Sequence, residues 1–468
     1  MEKAVAQKEL SRQGLFAAEI AQIMKVRARG ENPLAYVRTY GCQQNVADGE
    51  KIKGLLAEMG FSFTSEPEDA DFILFNTCAV REHAEDRVFG NVGALKNLKR
   101  RHPSTIIAVC GCMTEQERVA QRLKQSFPFV NLVFGTHVIH RLPEMLRDVL
   151  VNSERVFLQG HEEEEIMEGI PVRRDGKTRA WVTAMYGCDN FCSYCIVPYV
   201  RGREKSRRPE EIYQEFRSLV EAGYKEITLL GQNVNSYGKD LHMEGGFARL
   251  LEETAKIGIE RIRFTTSHPW DFTDEMIDVI ARYENIMPFI HLPVQSGDSD
   301  ILKIMGRRYT REQYLTLFHK IKERIPCCAI STDIIVGFPN ETEEQFQNTL
   351  SLVDECRFDN AFTFIYSPRE GTPAASMADN VALTVKQRRL QELNERWNLY
   401  AREKNEAYLG TVVKVLVDGA SKKNPDVFSG YTETNKLVNF KRTTAQSGDI
   451  VSVKITACKT FSLDGEQI

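Results

Sequence analysis

The sequence predicts an α/β protein in three parts: an open parallel α/β domain, a partial barrel of six βα units, and a small antiparallel β-barrel. Three observations carry this. Short apolar runs alternate with helix-like segments from about residue 33, and a second alternation of the same kind starts near Ala180. The last 60 or so residues change character and alternate apolar with polar positions between Gly, Asn and Asp turns. A length of 468 residues suits about three domains of roughly 150 residues each, and 42% hydrophobic with 27% charged residues is the balance of a globular chain.

Residues 1–32 read as a polar, partly helical extension to which no function attaches. Residues 33–151 form the first domain. "LAYVRTYGC" ends at Cys42, "ADFILFNTC" at Cys78 and "TIIAVCGC" at Cys112, with helix-like segments between them. In a parallel sheet every strand points the same way, so these three cysteines, 36 and 34 positions apart, should converge on one edge. That edge is where open α/β sheets bind ligands. A polar connector, 152–173, contains the acidic run "HEEEEIMEG" and reads as a solvated linker.

Over 174–404, strands are expected at "AWVTAMY", "EITLLGQ", "RIRFTTS", "MPFIHLPV", "CAISTDIIVG" and "AFTFIYS", with helices between them such as the one that Pro209 opens. Six units suit a partial barrel, whose chemistry belongs on the loops after the strands. Residues 407–468 form the last domain, with eight Lys/Arg against six Asp/Glu. Phe428, Tyr431 and Phe440 are its candidate exposed aromatics. Such barrels bind nucleic acid by charge and stacking, or serve as plain structure.

The net charge of −4 excludes a global field for nucleic acid, so any contact needs a local basic patch. No run approaches the roughly 18 apolar residues of a membrane span, and no apolar signal core opens the chain. A cytoplasmic address follows, and in that reducing compartment eleven cysteines suggest metal or redox chemistry over disulfides.

"GCDNFCSYCIVP", directly after the first barrel strand, places Cys188, Cys192 and Cys195 at C-x3-C-x2-C. Structural zinc wants four ligands, and electron-carrying clusters are normally fully ligated. Three thiolates on a four-iron cube leave one iron open for chemistry. Zinc or a thiol redox site is the competing reading.

With Tyr194 before the last cysteine, this motif resembles that of radical S-adenosylmethionine enzymes. The resemblance implies that the open iron chelates S-adenosylmethionine, that electron transfer releases a 5′-deoxyadenosyl radical, and that Tyr194 lies near the adenine. With the first triad and the C-terminal barrel, the chain from about residue 34 onward resembles the methylthiotransferases of that superfamily. For this family the resemblance implies a second, auxiliary 4Fe-4S cluster on Cys42, Cys78 and Cys112, a radical S-adenosylmethionine barrel, and a C-terminal TRAM domain that binds RNA. Buried core cysteines are the alternative for the first triad. Strand alternation gives Cys110 the same facing as Cys112 and makes it an alternative ligand. Cys327, Cys328, Cys356 and Cys458 read as core.

"NTCAVREHAEDRVFG", "SHPWDFTDEMIDVIARYENIMPFIHLPVQSG", "ILKIMGRRYTREQY" and "LVNF" resemble the MiaB branch. The resemblance implies methylthiolation of carbon 2 of N6-isopentenyladenosine beside the anticodon of tRNA. One S-adenosylmethionine would donate the methyl group and a second the radical, fed by a flavodoxin-type electron donor. Threonylcarbamoyl-adenosine or a ribosomal-protein aspartate are the alternative substrates, and an iron–sulfur RNA-binding regulator is the non-enzyme alternative. Asn233, Gln295 and Asp333 at strand ends are candidate S-adenosylmethionine contacts, or simple caps. Arg201, Arg203, Lys205, Arg207 and Arg208 could track phosphates, or anchor a solvated loop. No coiled coil or apolar stripe is present, which suggests a monomer.

Overall fold

The computed structural model describes residues 2–28, 31–79, 82–160, 166–421, 424–441 and 444–468. The chain divides into two units, one of Met1–Asp175, Tyr186–Cys188 and Ile196–Lys205, the other of Gly176–Met185, Asp189–Cys195 and Ser206–Ile468.

In the first unit, β1 (Leu34–Thr39), β2 (Ser62–Phe63), β3 (Phe72–Thr77), β4 (Ile106–Gly111), β5 (Leu132–Phe134) and β6 (Val156–Leu158) form one sheet in the order β2-β1-β3-β4-β5-β6. Every ladder is parallel. Every residue of β3 and β4 is buried, because helices cover both faces, and this is why those strands read as unbroken apolar runs. On one face Phe72, Leu74, Ile106 and Ala108 pack with α1 (Glu2–Arg27), α2 (Gln43–Glu58) and α5 (Leu142–Val151). On the other, Ile73, Phe75, Ile107 and Val109 meet α3 (Glu82–Arg101) and α4 (Glu117–Ser126).

Two flanking segments pack onto this sheet. The N-terminal extension is part of this domain: α1 buries Ala17, Ile20 and Met24 at helical spacing, and Arg12 and Arg147 pair with Glu144 and Glu19 at 2.5 and 2.6 Å. The connector contributes β6, and its end is laid across α2, where Arg173 N–H donates to the Glu50 carbonyl at 3.0 Å. Of the acidic run, His161–Glu165 lie outside the described residues.

Cys78 and Cys112 directly follow β3 and β4, and Cys42 caps the start of α2. Gly111 makes the last turn possible. Its φ is +105°, and a Cβ there would stand 2.3 Å from the Thr77 carbonyl oxygen. Gly111→Ala is expected to cost about 1–3 kcal/mol of stability through strain alone. Urea unfolding that leaves the midpoint in place would show that the turn has room.

The second unit begins with β7 (Arg179–Thr183). The two-residue strands β8 (Met185–Tyr186) and β9 (Lys205–Ser206) pair with each other. β10 (Glu226–Leu230), β11 (Arg261–Thr265), β12 (Phe289–His291), β13 (Ala329–Val336) and β14 (Asn360–Ile365) follow. All six predicted barrel strands form, as two parallel three-stranded sheets, β7-β10-β11 and β12-β13-β14. Their junction is thin: one bridge joins Ile262 to Ile286, and Ser267 N–H donates to the His291 carbonyl at 3.2 Å. Helices pack an apolar core against these sheets, as a βα alternation requires.

The last strands are β15 (Val412–Ala420), β16 (Val427–Thr432), β17 (Leu437–Lys441), β18 (Ile450–Cys458) and β19 (Leu463–Gln467), a closed barrel in the order β15-β16-β17-β19-β18. One pair, β17–β19, is parallel where a wholly antiparallel barrel was expected. Phe428 and Phe440 are not surface platforms. They face each other across β16 and β17, edge to face at 6.2 Å inside the barrel. Tyr431 is half-buried under the Arg179 guanidinium, 4.6 Å away. The aromatic that is exposed is Phe461, at 67%.

Two arginines of β11 staple this barrel to the sheet. Arg261 donates to the carbonyls of Tyr431 and Lys414, and Arg263 to those of Thr432 and Glu433, at 2.8–3.2 Å. Glu226 holds the Arg263 guanidinium at 2.8 Å. Among the described residues, no helix is long and apolar enough to cross a membrane.

Candidate functional site

The first triad is organised around one amide. Asn45, in the opening turn of α2, donates from Nδ2 to the carbonyls of Tyr40 and Thr77, both at 2.8 Å. Its Oδ1 is thereby turned toward the thiols, 3.9 Å from Cys42 Sγ and 3.6 Å from Cys112 Sγ. Cys78 sits beside them: a Cβ on Gly41 would stand 3.0 Å from Cys78 Sγ. Strand ends therefore bring the three cysteines together, as the parallel sheet requires. Burial pushes the Cys112 thiol up to about 12, against a lowering by the nearby Arg201 charge.

Cys110 does not share this facing. The positive φ of Gly111 breaks the alternation, so Cys110 stays in the sheet core with Ala108 and Phe134 while Cys112 packs with Ala79, Ile196 and Val200. Of the cysteines expected in the core, Cys328 and Cys356 are buried and Cys458 partly so. Cys327 is exposed, because it sits in the turn before β13.

Two of the five basic residues after the second triad are turned into the protein. Arg201, the last residue of α6 (Val197–Arg201), is 4% exposed and bonded to Asp48, Asn45 and Cys112. Arg207 is buried too, donating to the Thr183 carbonyl and to Glu215. Arg203 and Arg208 are exposed and Lys205 is half-buried. Burial of the two arginines depends on carboxylates from other elements, which the run itself does not reveal.

Cys188 and Cys192 are buried and Cys195 half-buried. Gly187, with φ +68°, lets the chain turn into the motif, and Cys188 N–H donates to the Gly202 carbonyl at 3.1 Å. Cys192 Sγ accepts from Arg307 at 3.5 Å. Ser193 is tied to the segment before Arg307, its N–H donating to the Met305 carbonyl at 2.8 Å. Tyr194 packs against a small core that includes Met305 and Phe338.

Polar side chains gather on the loops after the barrel strands and, for Asp333 and His291, within β13 and β12 themselves. Asn233 is committed on both sides: Nδ2 donates to Asp271 at 2.6 Å, and Oδ1 accepts from His268 N–H at 3.3 Å. Lys239 pairs with Asp271. Asp333 stands 3.5 Å from His291 Nε2. Gln295 is buried with φ +71° and extends the β13 ladder through its main chain, N–H to the Asp333 carbonyl at 2.8 Å.

His268 is a residue that spacing could not single out. Burial first, then the charges of Arg307, Arg308 and Lys239, push its imidazole down to about 2. The ring is therefore neutral at physiological pH. Nδ1 accepts from Trp270 N–H at 3.3 Å, so the proton is on Nε2, which has no protein partner among the described residues.

Three family models match the chain: the radical SAM superfamily over residues 182–353, the uncharacterized protein family UPF0004 over 34–135, and the TRAM domain over 406–468. A tRNA-2-methylthio-N(6)-dimethylallyladenosine synthase of Halalkalibacterium halodurans is 56% identical over 450 residues, 96% of this chain and 83% of that protein. The protein of the same name from Bacillus licheniformis is 56% identical over 443 residues, 94% of this chain and 87% of its own. The chain belongs to the tRNA-2-methylthio-N(6)-dimethylallyladenosine synthase family. Among solved structures, the radical S-adenosylmethionine methyltransferase TsrM of Kitasatospora setae, with cobalamin and a [4Fe-4S] cluster bound, aligns with a TM-score of 0.53 at 12% identity. It covers 74% of each chain, a likeness of fold alone.

The cofactors that go with this family are S-adenosylmethionine and two 4Fe-4S clusters. The first triad fits its cluster by donor chemistry: three soft thiols, two of them buried and the third half-buried, with the one nearby carboxylate, Asp48, engaged by Arg201. Among the described residues no three Cys, His, Asp or Glu stand close enough to share one metal ion. A cube takes each thiolate on a different iron, so its ligands stand further apart than those of a single zinc.

Proposed function

We propose that the chain transfers a methylthio group to carbon 2 of N6-dimethylallyladenosine beside the anticodon of tRNA, with Cys188, Cys192 and Cys195 holding the radical-generating cluster and Cys42, Cys78 and Cys112 the auxiliary one. The observation that carries this is 56% identity across 96% of the chain to a synthase of that name, with both triads on strand-end loops. When bound, the clusters and S-adenosylmethionine supply the one-electron chemistry that an unactivated ring C–H bond requires.

The chain's own residues bind, orient and exclude water. Arg307 holds Cys192. Asn233 and Lys239 fix Asp271, and Asn233 also fixes the turn that presents His268. The His268 Nε2–H is a fixed donor for an acceptor atom of the ligand, and being neutral it adds no charge near a sulfonium. Tyr194, Gln295 and Asp333 belong to the same cofactor mouth. The TRAM barrel binds the tRNA, with Arg203, Lys205 and Arg208 adding charge. A one-electron donor of flavodoxin type serves a monomer.

The test is mass spectrometry of nucleosides from tRNA bearing dimethylallyladenosine, incubated anaerobically with the reconstituted chain, reductant and S-adenosylmethionine. A 2-methylthio product is expected. If 5′-deoxyadenosine forms without it, tRNA bearing threonylcarbamoyl-adenosine and the ribosomal-protein aspartate become the substrates to try. With both clusters present and neither product, an iron–sulfur RNA-binding regulator is the better description.

A further inference from the structure

Arg201 lies six positions after Cys195, yet its side chain points into the first triad. Nε donates to Cys112 Sγ at 3.0 Å, and one Nη donates to both Asn45 Oδ1 and Asp48 Oδ2 at 2.7 Å. Asp48 is itself buried. The planar fork of a guanidinium can serve a thiol and a carboxylate together, which a lysine ammonium on a flexible stem cannot do in the same geometry. A buried ion pair is a poor source of stability compared with apolar packing, so the folded state alone gives little reason for this one. Hydrogen bonds to the sulfurs of an iron–sulfur cluster do give a reason. They favour the reduced, more negative state and so raise its potential, and they orient the ligand.

We propose that Arg201 is a positioning residue for the auxiliary cluster: its Nε–H holds the Cys112 thiolate in place and raises the reduction potential of the cluster on Cys42, Cys78 and Cys112. Asp48 and Asn45 aim the guanidinium. Nothing in the sequence around Arg201 reveals this, because Asp48 lies 153 positions earlier. The inference rests on the assignment of those three cysteines.

The test uses the full chain with Cys188, Cys192 and Cys195 changed to alanine, so that the auxiliary cluster is the only one. In that background, Arg201→Met with Asp48→Asn removes both charges and leaves no unpaired carboxylate, while Arg201→Lys keeps the pair with Asp48. Iron and sulfide per chain, and the midpoint potential followed by electron paramagnetic resonance, are measured for each. The double change is expected to lower the potential by about 59 mV, a tenfold shift in a one-electron equilibrium, with Arg201→Lys recovering less than half. Loss of iron from a variant whose circular dichroism and melting temperature are unchanged also supports the holding role. Full iron at an unchanged potential in both variants overturns it. If the triple-alanine parent takes up no iron, the cluster assignment falls and takes this inference with it. Iron that is present but indifferent to Arg201 sinks the inference alone. Should the double variant misfold, Arg201→Lys decides, since it folds with its ion pair kept and must still shift the potential.

Discussion

Cys78→Ala is expected to abolish the methylthio product while 5′-deoxyadenosine still forms, whereas Cys192→Ala abolishes both. The two changes are chemically identical and both thiols are buried, so folding cannot explain a difference between them. Removing one sulfur from a packed site costs roughly 1 kcal/mol by the scale of a buried methylene, well inside the 5–15 kcal/mol of a typical domain. Cys78 directly follows β3, beside Gly41 and the Asn45 amide. Cys192 belongs to the loop between β8 and α6 and accepts from Arg307. Loss of a direct ligand should exceed the roughly 10–100-fold that loss of an outer hydrogen-bond partner costs. Both products are measured in one anaerobic reaction by liquid chromatography and mass spectrometry. Product from Cys78→Ala at the parent rate would remove it from the ligand set. Equal loss of both products in a variant that keeps the barrel cluster would merge the two proposed roles.

The cysteines were legible because strand ends are legible. β3 and β4 are covered on both faces and announce themselves as apolar runs, so the positions of Cys78 and Cys112 followed from topology. β2, β5 and β6 are two or three residues long, too short for any period to register. The α1 stripe of Ala17, Ile20 and Met24 is present at helical spacing, but polar neighbours dilute it and its partners on α5 lie more than a hundred residues away. Elsewhere a partner on another element or a local break decides. Arg201 and Arg207 are buried by Asp48 and Glu215. Cys110 was parted from Cys112 by the single positive φ at Gly111. The strands of Phe428 and Phe440 each carry a large apolar residue on the other face too, Tyr431 and Leu437, and in a small closed barrel the sequence does not say which face is the inside. Their pairing in register across β16 and β17 settles it.

At pH 8, where its carboxyl is ionised, Glu341→Ala is expected to destabilise the chain by about 3 kcal/mol, the lower end of what breaking a buried ion pair costs. Glu341 and Arg389 are 4% and 3% exposed and paired at 2.9 Å. Arg389 also reaches the half-exposed Glu343 at 3.2 Å, which softens the loss. Glu341 closes the loop after β13: the Gly337 N–H donates to its carboxylate at 2.7 Å, and Arg389 also binds its carbonyl at 3.1 Å. Burial pushes its carboxyl from 4.5 up to about 7, against the lowering by the Gly337 N–H and by Arg389. Desolvation therefore outweighs the pairing. Between about pH 4.5 and 7 the native chain holds a proton that the unfolded chain has lost, so stability from this group is full below 4.5 and fades as pH rises through 7. Glu341→Gln cannot titrate. The stability of the parent minus that of Glu341→Gln, from urea unfolding at several pH values, should fall across that window and level off above it. A difference that rises with pH would mean that Arg389 wins and the carboxylate is held ionised. Adding Arg389→Met to Glu341→Ala should recover part of the loss, since no charge is then left buried alone. The loop follows β13, the strand that carries Asp333, so Glu341→Ala should also weaken S-adenosylmethionine binding, even at temperatures where the variant remains folded.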